Sequence, residues 1–249
     1  MEQTRIDRLL EIVNENKKIE VSKLANLLAV SKVTIRKDLN ELEERGLLKR
    51  EHGFAIVNNP DDLNYRLAQN YQTKLKIASE ASRLVKEQET IMIESGSTCA
   101  LLAEQLGKQG KHVTIITISY FIANYVAQYP NLSVIILGGQ YQSTSQVVVG
   151  PLVKRTLQGF KVQKLFIGTD GFDDKMGFFG NDLMRTETVR QMAQDAKELI
   201  ILTDSSKFQK PSLIQQFSLT EVSEVITDRE LSDTAKKTLA AKKIIVKLV

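Results

Sequence analysis

Residues 21–39 hold the pattern that most constrains the fold of this chain. Apolar side chains recur there at helical spacing in two short segments, which are separated by residues 29–30. The pattern predicts two amphipathic helices joined by a tight turn. The second helix carries cations and hydroxyls on its outer face. This arrangement is typical of a helix-turn-helix that places its second helix in the major groove of DNA.

The apolar stripe of the second helix fixes how that helix is rotated. Ile35, Leu39 and Leu42 lie at helical spacing, and successive helical residues turn by about 100°. Burial of these three turns cations, hydroxyls, an amide and one valine outward. Arg and Lys suit guanine, a valine meets a thymine methyl, and hydroxyls at a helix N-terminus suit phosphates. The predicted DNA contacts of this helix are Ser31, Lys32, Val33, Thr34, Arg36, Lys37 and Asn40.

Caps and turn residues set the expected bounds of the helices. A first helix is predicted over residues 5–14 and a second over residues 22–28, with Leu27 and Leu28 mostly inward. Ser31 is of a type that caps helices, so the third helix is expected to begin there. It is expected to run to about residue 45 and to end at a glycine, residue 46.

Residues 47–57 predict a short β-hairpin whose turn contains Gly53. Three helices followed by a hairpin make a winged helix-turn-helix, so residues 1–57 are predicted to be a DNA-binding domain. Contact with phosphates or the minor groove is expected around the hairpin turn, from Lys49, Arg50 and His52. The alternative is a charged helix face and an ordinary hairpin in a module that binds protein.

Composition sets limits but does not identify the partner. The net charge is +4 and the pI is near 9.0, yet residues 1–57 hold 11 Lys and Arg against 10 Asp and Glu. A basic patch must therefore come from the spatial arrangement of charges. Cys99 is the single cysteine, so no internal disulfide forms, and packing is favoured over a redox role. No signal peptide, membrane span or metal-site pattern is evident. We expect a cytoplasmic protein without metal, cofactor or membrane partner.

Residues 58–249 show a different sequence pattern. Residues 58–62 are turn-formers, and a helix is predicted over residues 63–86, so residues 58–74 are expected to be a linker and bridging helix. Residues 75–249 then alternate β-branched runs with helical patterns, which predicts a Rossmann-like parallel sheet covered on both faces. The predicted strands are 90–93, 113–117, 134–137, 165–167, 199–202, 222–226 and 244–246. The predicted helices between them are 100–106, 122–127 and 187–196.

Small and polar residues follow several of these strands. Ligands bind beyond the carboxyl ends of parallel strands. Glycine and hydroxyls before a helix near Cys99 suit an anion such as phosphate, carboxylates suit sugar hydroxyls, and a lysine suits phosphate. Each loop alone is also compatible with an ordinary turn or a surface ion pair. The predicted ligand-binding residues are Glu94, Ser95, Gly96, Ser97, Thr98, Ser119, Gly138, Gly139, Asp170, Gly171 and Lys207.

Motifs in both halves of the chain point to one family. The first set is Arg5-x-x-x-Leu9-x-x-Ile12, Leu24-Ala25 and Val30-Ser31-x-x-Thr34-Ile35-Arg36-Lys37-Asp38-Leu39. The second set is Lys74-x-x-Ile77-Ala78, Glu94-Ser-Gly-Ser-Thr98, Thr117-x-Ser119, Leu137-Gly-Gly139, Val149-Gly150-Pro151, Phe166-Ile-Gly-Thr-Asp-Gly171, Glu187 and Asp204-Ser-Ser-Lys-Phe208. Together they resemble the DeoR family of bacterial regulators over nearly the whole chain.

This chain departs from the family pattern at four points. The family usually has a second arginine at the position of Lys37 and a glycine at the position of Phe54 in the wing. It often has aspartate at Glu94 and asparagine at Ile118. Lysine keeps the charge but loses the bidentate fork of arginine. The longer Glu94 side chain and the missing amide are expected to change which sugar fits.

The resemblance implies a fold and a function. The sensor domain would be similar to ribose-5-phosphate isomerases, with a phosphorylated sugar or sugar alcohol as effector. The chain would be a homo-oligomer, dimer or tetramer, that represses a carbohydrate-utilisation operon by binding its double-stranded DNA operator. One alternative is a transcriptional activator of the same architecture. Another is a sugar-phosphate isomerase-like enzyme with an appended helical module, using Asp170, Asp204 or Glu94 as base and Lys207 on the phosphate.

Overall fold

A computed structural model describes residues 5–44, 47–57, 63–209 and 211–249. The chain divides into two compact units, Met1–Gln72 and Thr73–Val249. The predicted linker at residues 58–62 and the predicted end of the third helix at residues 45–46 lie outside the described residues.

The first unit is a winged helix-turn-helix, as predicted. Its elements are α1 (Arg5–Asn16), β1 (Lys18–Glu20), α2 (Val21–Leu27), α3 (Lys32–Glu44), β2 (Lys49–Glu51), β3 (Phe54–Ile56) and α4 (Leu63–Ala68). The three strands form an antiparallel sheet in the order β1-β3-β2.

Helix α3 has the rotation expected from its apolar stripe. Ile35 and Leu39 are fully buried and Leu42 is 1% exposed, so the polar face points away from the core of this unit. The Thr34 backbone N–H donates to Ser31 Oγ at 3.1 Å, which confirms the predicted cap.

The expectation that Leu27 faces inward was wrong, since this side chain is 56% exposed. The buried residues of α2 are Val21, Leu24 and Ala25. They follow the i, i+3, i+4 spacing of one helical stripe, and Leu27 lies outside that stripe.

The hairpin forms with a two-residue turn. His52 has φ +47° and Gly53 has φ +85°, which is the backbone of a turn that matches the twist of a β-hairpin. Phe54 follows the turn in β3, and the Lys18 ammonium lies 4.7 Å from the centre of its ring. Phenylalanine in place of the family's glycine therefore leaves the wing intact and packs against β1. The sequence did not predict β1, because a strand of three residues is too short to give a recognisable pattern.

The single helix predicted over residues 63–86 was wrong. The chain forms α4, and then α5 (Tyr71–Ser82). Asn70 interrupts them with φ +50°, a left-handed conformation that asparagine adopts more readily than most residues and that no α-helix contains.

The second unit alternates strands and helices. After α5 these are β4 (Thr90–Ile93), α6 (Ser97–Lys108), β5 (Val113–Thr117), α7 (Tyr120–Tyr125), β6 (Leu132–Ile136), β7 (Gln140–Gln142), β8 (Val147–Val149), α8 (Pro151–Leu157), β9 (Val162–Ile167), β10 (Gly171–Asp173), β11 (Gly177–Gly180), α9 (Leu183–Ala193), β12 (Ala196–Leu202), β13 (Ile214–Phe217), β14 (Glu224–Thr227), α10 (Asp233–Ala241) and β15 (Ile245–Leu248). A short 3₁₀ helix covers Ser205–Phe208.

Seven of these strands form one parallel sheet in the order β15-β14-β12-β9-β4-β5-β6, which confirms the predicted Rossmann-like fold. Several strands begin earlier than predicted. β9 and β12 start at Val162 and Ala196, because their first residues include polar side chains that hide them from a search for apolar runs. Helix α9 starts at Leu183, four residues before the predicted helix, and α6 starts at Ser97.

The sequence patterns missed two antiparallel additions. Strands β10, β11 and β13 form one sheet, and β7 pairs with β8 in a hairpin. These strands are three or four residues long, which is too short for a clear alternation to stand out.

The strand order creates a switch point between β4 and β9. From β4 the chain proceeds to β5 and β6 on one side, and from β9 it proceeds to β12, β14 and β15 on the other. Right-handed crossovers therefore place α6 and α9 on opposite faces of the sheet. A crevice for ligands is expected at the carboxyl ends of β4 and β9.

Candidate functional sites

The outer face of α3 is exposed in the first unit. Of the residues predicted to contact DNA there, Thr34 is half-buried and the other helix residues are exposed. Val33 is 74% exposed. A cationic helix face with one unprotected valine has the chemistry that base edges and phosphates require.

A bidentate ion pair ties α1 to α3. Arg5 Nε and Nη2 donate to Asp38 Oδ2 and Oδ1 at 2.6 and 3.0 Å. Asp38 is 4% exposed, and the hydrogen bond and charge of Asp38 raise the pKa of Arg5. Sequence reasoning gave neither residue a positioning role, although both lie in the quoted motifs. The pair holds α3 against α1.

The wing also contacts α3. The Arg50 guanidinium donates to Asn40 Oδ1, and the Arg50 backbone N–H donates to Glu43 Oε1 at 2.8 Å. Two residues predicted separately to contact DNA are therefore joined. Lys49 and His52 are exposed in the same hairpin, so the wing adds exposed side chains next to the outer face of α3.

In the second unit, every predicted ligand-binding residue comes after a strand of the parallel sheet. Each lies either in the loop at the carboxyl end of that strand or at the start of the element that follows the loop. Glu94 follows β4, and Gly168–Gly171 follows β9, so these two loops flank the switch point. Gly138 and Gly139 follow β6, two strands away from β4. A Cβ on Gly139 would lie 2.8 Å from the Val149 carbonyl oxygen, which gives this glycine a packing role against β8.

Arg185 joins the two loops at the switch point, and sequence reasoning missed it. Its Nη2 donates to Asp170 Oδ2 at 2.9 Å and to Asn181 Oδ1 at 2.5 Å. Its Nε lies 3.9 Å from Glu94 Oε1. The Arg185 side chain is 12% exposed and that of Glu94 is 6% exposed. This guanidinium thus lies between two carboxylates in a largely buried setting, where charge interactions are stronger than in water.

The sequence held a signal that could have located Arg185. Asp182 caps α9, because its Oδ1 accepts from the Arg185 backbone N–H at 2.7 Å. An aspartate just after a strand is a typical helix start. Reading it so would have placed Arg185 in the first turn of α9, next to the carboxyl edge of the sheet.

Two predicted hydroxyl ligands are already engaged within the protein. Ser95 Oγ donates to Glu94 Oε1 at 2.5 Å. Ser119 is fully buried and caps α7, since its Oγ accepts from the Ile122 backbone N–H at 3.1 Å. This arrangement gives Ser119 a structural role and does not support its direct contact with a ligand.

The first turn of α6 lies directly after the loop that contains Glu94. Gly96 caps the helix, and the first N–H groups of a helix lack partners within it. Ser97 is half-buried and Thr98 is 7% exposed. The backbone donors, the Ser97 hydroxyl and the helix dipole therefore favour a phosphate there.

Lys207 lies on a turn that is anchored from two sides. Asp204 caps the 3₁₀ helix by accepting from the Ser206 backbone N–H at 3.2 Å. The ring of Phe208 lies 4.8 Å from that of Phe172, centre to centre. This anchoring holds the half-buried Lys207 beside the end of β12. Asp204 is 6% exposed and engaged in capping, which fits a structural carboxylate rather than a general base.

Cys99 lies fully buried at the start of α6. Burial raises the pKa of its thiol well above the ordinary value, and the nearby charge of Glu94 adds to this rise. The described residues contain no cluster of His, Cys, Asp or Glu that could hold a metal ion. Within the same residues, no helix is long and apolar enough to cross a membrane.

Comparison with known proteins gives matches over both units. The DeoR-like helix-turn-helix domain matches residues 5–61, and the DeoR C terminal sensor domain matches residues 69–229.

Several regulators are similar over nearly their whole length. The HTH-type transcriptional regulator GolR of Listeria innocua is 30% identical, covering 94% of this chain and 93% of GolR. The L-fucose operon activator of Haemophilus influenzae is 31% identical, covering 94% of each chain. The lactose phosphotransferase system repressor of Streptococcus mutans is 29% identical over 94% of each.

Among solved structures, the ribose 5-phosphate isomerase A of Methanocaldococcus jannaschii is 23% identical, with a TM-score of 0.43. It covers 56% of this chain and 55% of that one. A likeness of this extent carries no argument about function.

Proposed function

Because the chain belongs to the DeoR family of transcriptional regulators, we propose that it represses a carbohydrate-utilisation operon and is released from its operator by a phosphorylated sugar or sugar alcohol. As a family member it is a DNA-binding regulator of transcription, and its relatives are named as regulators rather than enzymes. We propose in addition that the protein acts as a repressor, that it binds the effector and the operator through the residues given below, and that it is located in the bacterial cytoplasm.

The operator contacts are proposed from the exposed face of α3 and the wing. The Arg5–Asp38 pair fixes α3 from behind, and the Asn40–Arg50 contact joins it to the wing. A two-fold dimer would place two such heads on half-sites whose spacing matches the distance between them.

The effector site is proposed at the switch point of the parallel sheet. The observation that carries it is Arg185, which brings the loops after β4 and β9 together beside the first turn of α6. Carboxylates suit sugar hydroxyls, and the α6 N–H groups and Lys207 suit a phosphate. An effector that binds one arrangement of the oligomer more tightly shifts the population toward it.

A retardation assay tests this function. Full-length protein is mixed with DNA from upstream of its own gene and with unrelated DNA of equal length, with and without a panel of sugar phosphates. Specific retardation that one phosphorylated sugar reverses supports the proposal. Failure to retard the upstream DNA in preference to the control contradicts it.

Activation is the second candidate, because one similar relative is named an operon activator. Expression of a reporter for the neighbouring operon separates the two in a deletion strain. Loss of a repressor raises expression, whereas loss of an activator lowers it.

A further inference from the structure

Two carboxylate oxygens at the switch point lack a donor among the described residues. Ser95 and Arg185 both approach Glu94 at Oε1, and no described side chain or N–H donates to Glu94 Oε2. At Asp170 the Asn181 backbone N–H and Arg185 both donate to Oδ2. No described side chain or N–H donates to Asp170 Oδ1.

These oxygens specify what a ligand must bring. The Glu94 side chain is 6% exposed and that of Asp170 is 26% exposed, so a hydrogen-bond donor on a ligand would satisfy oxygens that have little access to water. A hydroxyl can donate to them. An ionised phosphate or carboxylate has only acceptor oxygens at neutral pH, so it cannot.

The charge balance leads to the same conclusion. Glu94 and Asp170 together carry two negative charges, and among the described residues Arg185 is the one cation that contacts both. Its Nη2 donates to Asp170 and Asn181, and its Nε lies 3.9 Å from Glu94 Oε1. A further anion placed against this triad would meet an excess of negative charge in a largely buried setting.

We propose that the triad of Glu94, Arg185 and Asp170 binds the uncharged, hydroxyl-bearing end of the effector and rejects a carboxylate there. This inference rests on the proposed function of the second unit as a sugar-phosphate sensor. The effector's phosphate is then bound by the N–H groups of the first turn of α6 and by Lys207. The triad thereby selects neutral sugar or polyol phosphates over phosphorylated sugar acids.

Matched ligands that differ only at carbon 1 test the selection. The full-length protein is titrated calorimetrically with glucose 6-phosphate, glucitol 6-phosphate and 6-phosphogluconate, and with the ribose, ribitol and ribonate 5-phosphates. Where the neutral member of a set binds, the acid is expected to bind at least about tenfold more weakly. An acid that binds as tightly as its neutral partner overturns the inference but leaves a sugar-phosphate sensor in place.

A charge-neutral variant shows whether the triad is responsible. Asp170→Asn removes one negative charge and keeps an oxygen that accepts from Arg185. The gap in affinity, which is the ratio of the dissociation constants of the acid and the neutral ligand, should therefore narrow by about tenfold. Asp174→Asn is the matched control, since Asp174 is exposed in the turn between β10 and β11, and it should leave the gap unchanged. An unchanged gap in Asp170→Asn, with neutral ligand still bound, contradicts the assignment. Glu94→Gln serves the same purpose if Asp170→Asn does not fold.

Discussion

Arg185 Nη2 lies 2.9 Å from Asp170 Oδ2 and thereby ties the first turn of α9 to the loop after β9. The same guanidinium approaches Glu94 after β4. One side chain therefore holds both edges of the crevice at the switch point, and several consequences can be measured.

Replacing Arg185 with glutamine should destabilise the second unit. The change leaves two largely buried carboxylates without their cation, and we expect a loss of about 1–3 kcal/mol in the free energy of unfolding. Urea denaturation measures it. Arg155→Gln on the exposed face of α8 should cost little. A loss in Arg185→Gln no larger than in Arg155→Gln would show that the contact is not stabilising.

The Arg5–Asp38 pair should matter for operator binding without touching DNA. Arg5→Ala frees α3 from α1, so we expect the dissociation constant for operator DNA to rise by roughly tenfold. The matched control is Arg8→Ala, because Arg8 pairs with Glu11 on the exposed side of the same helix at 3.5 Å. Fluorescence anisotropy with labelled DNA compares them. Equal affinities in the two variants would argue against a positioning role for Arg5.

Charged and apolar residues of α3 should affect binding in different ways. Lys37→Gln removes a cation from the outer face of α3, so we expect weaker binding to DNA and a salt slope lowered by about one. Val33→Ala should change the preference among base pairs with little effect on the salt slope. Anisotropy titrations at several salt concentrations measure both. Lys237→Gln on α10 is the control, and an effect there as large as in Lys37→Gln would remove the assignment.

Cys99 should be unreactive in the folded protein. Because burial raises the pKa of its thiol, the reactive thiolate is scarce at neutral pH. Iodoacetamide at pH 7.5 should leave Cys99 unmodified in buffer and modify it in urea, as read by mass spectrometry. Rapid alkylation of the folded protein would contradict the burial.

The raised pKa of Cys99 also predicts a pH dependence of stability. The folded state holds this proton more tightly than the unfolded state, where the thiol titrates near about 8.5. The stabilisation is therefore present below that pH and is lost as pH rises above it. Comparison with Cys99→Ala between pH 7 and 10 isolates the effect. The difference in unfolding free energy should shrink with rising pH, and a constant difference would speak against it.

Features that depend on a single helix or strand could be predicted from the sequence. The stripe of Ile35, Leu39 and Leu42 set the rotation of α3 because helical spacing and burial are linked within a single helix. The parallel sheet was predictable for a similar reason, since strands buried on both faces are continuous apolar runs.

Relations between distant elements were not readable. Asp170 is 15 residues from Arg185, and Glu94 is 91 residues away, so their meeting depends on the order of strands in the sheet. Local conformation was another limit, as the left-handed Asn70 that divides α4 from α5 shows. Ser119 shows a third, because a hydroxyl after a strand can cap the next helix as readily as it can bind a ligand.

A phosphorylated sugar and operator DNA should oppose each other through the same protein. Thermodynamic linkage requires the coupling to be reciprocal. The experiment therefore compares the operator dissociation constant with and without saturating sugar phosphate, and the sugar phosphate dissociation constant with and without operator. We predict that both constants rise by the same factor, of at least about fivefold, and that the dephosphorylated sugar has no effect. Specific operator binding that no phosphorylated sugar changes would show that the protein does not couple the two ligands.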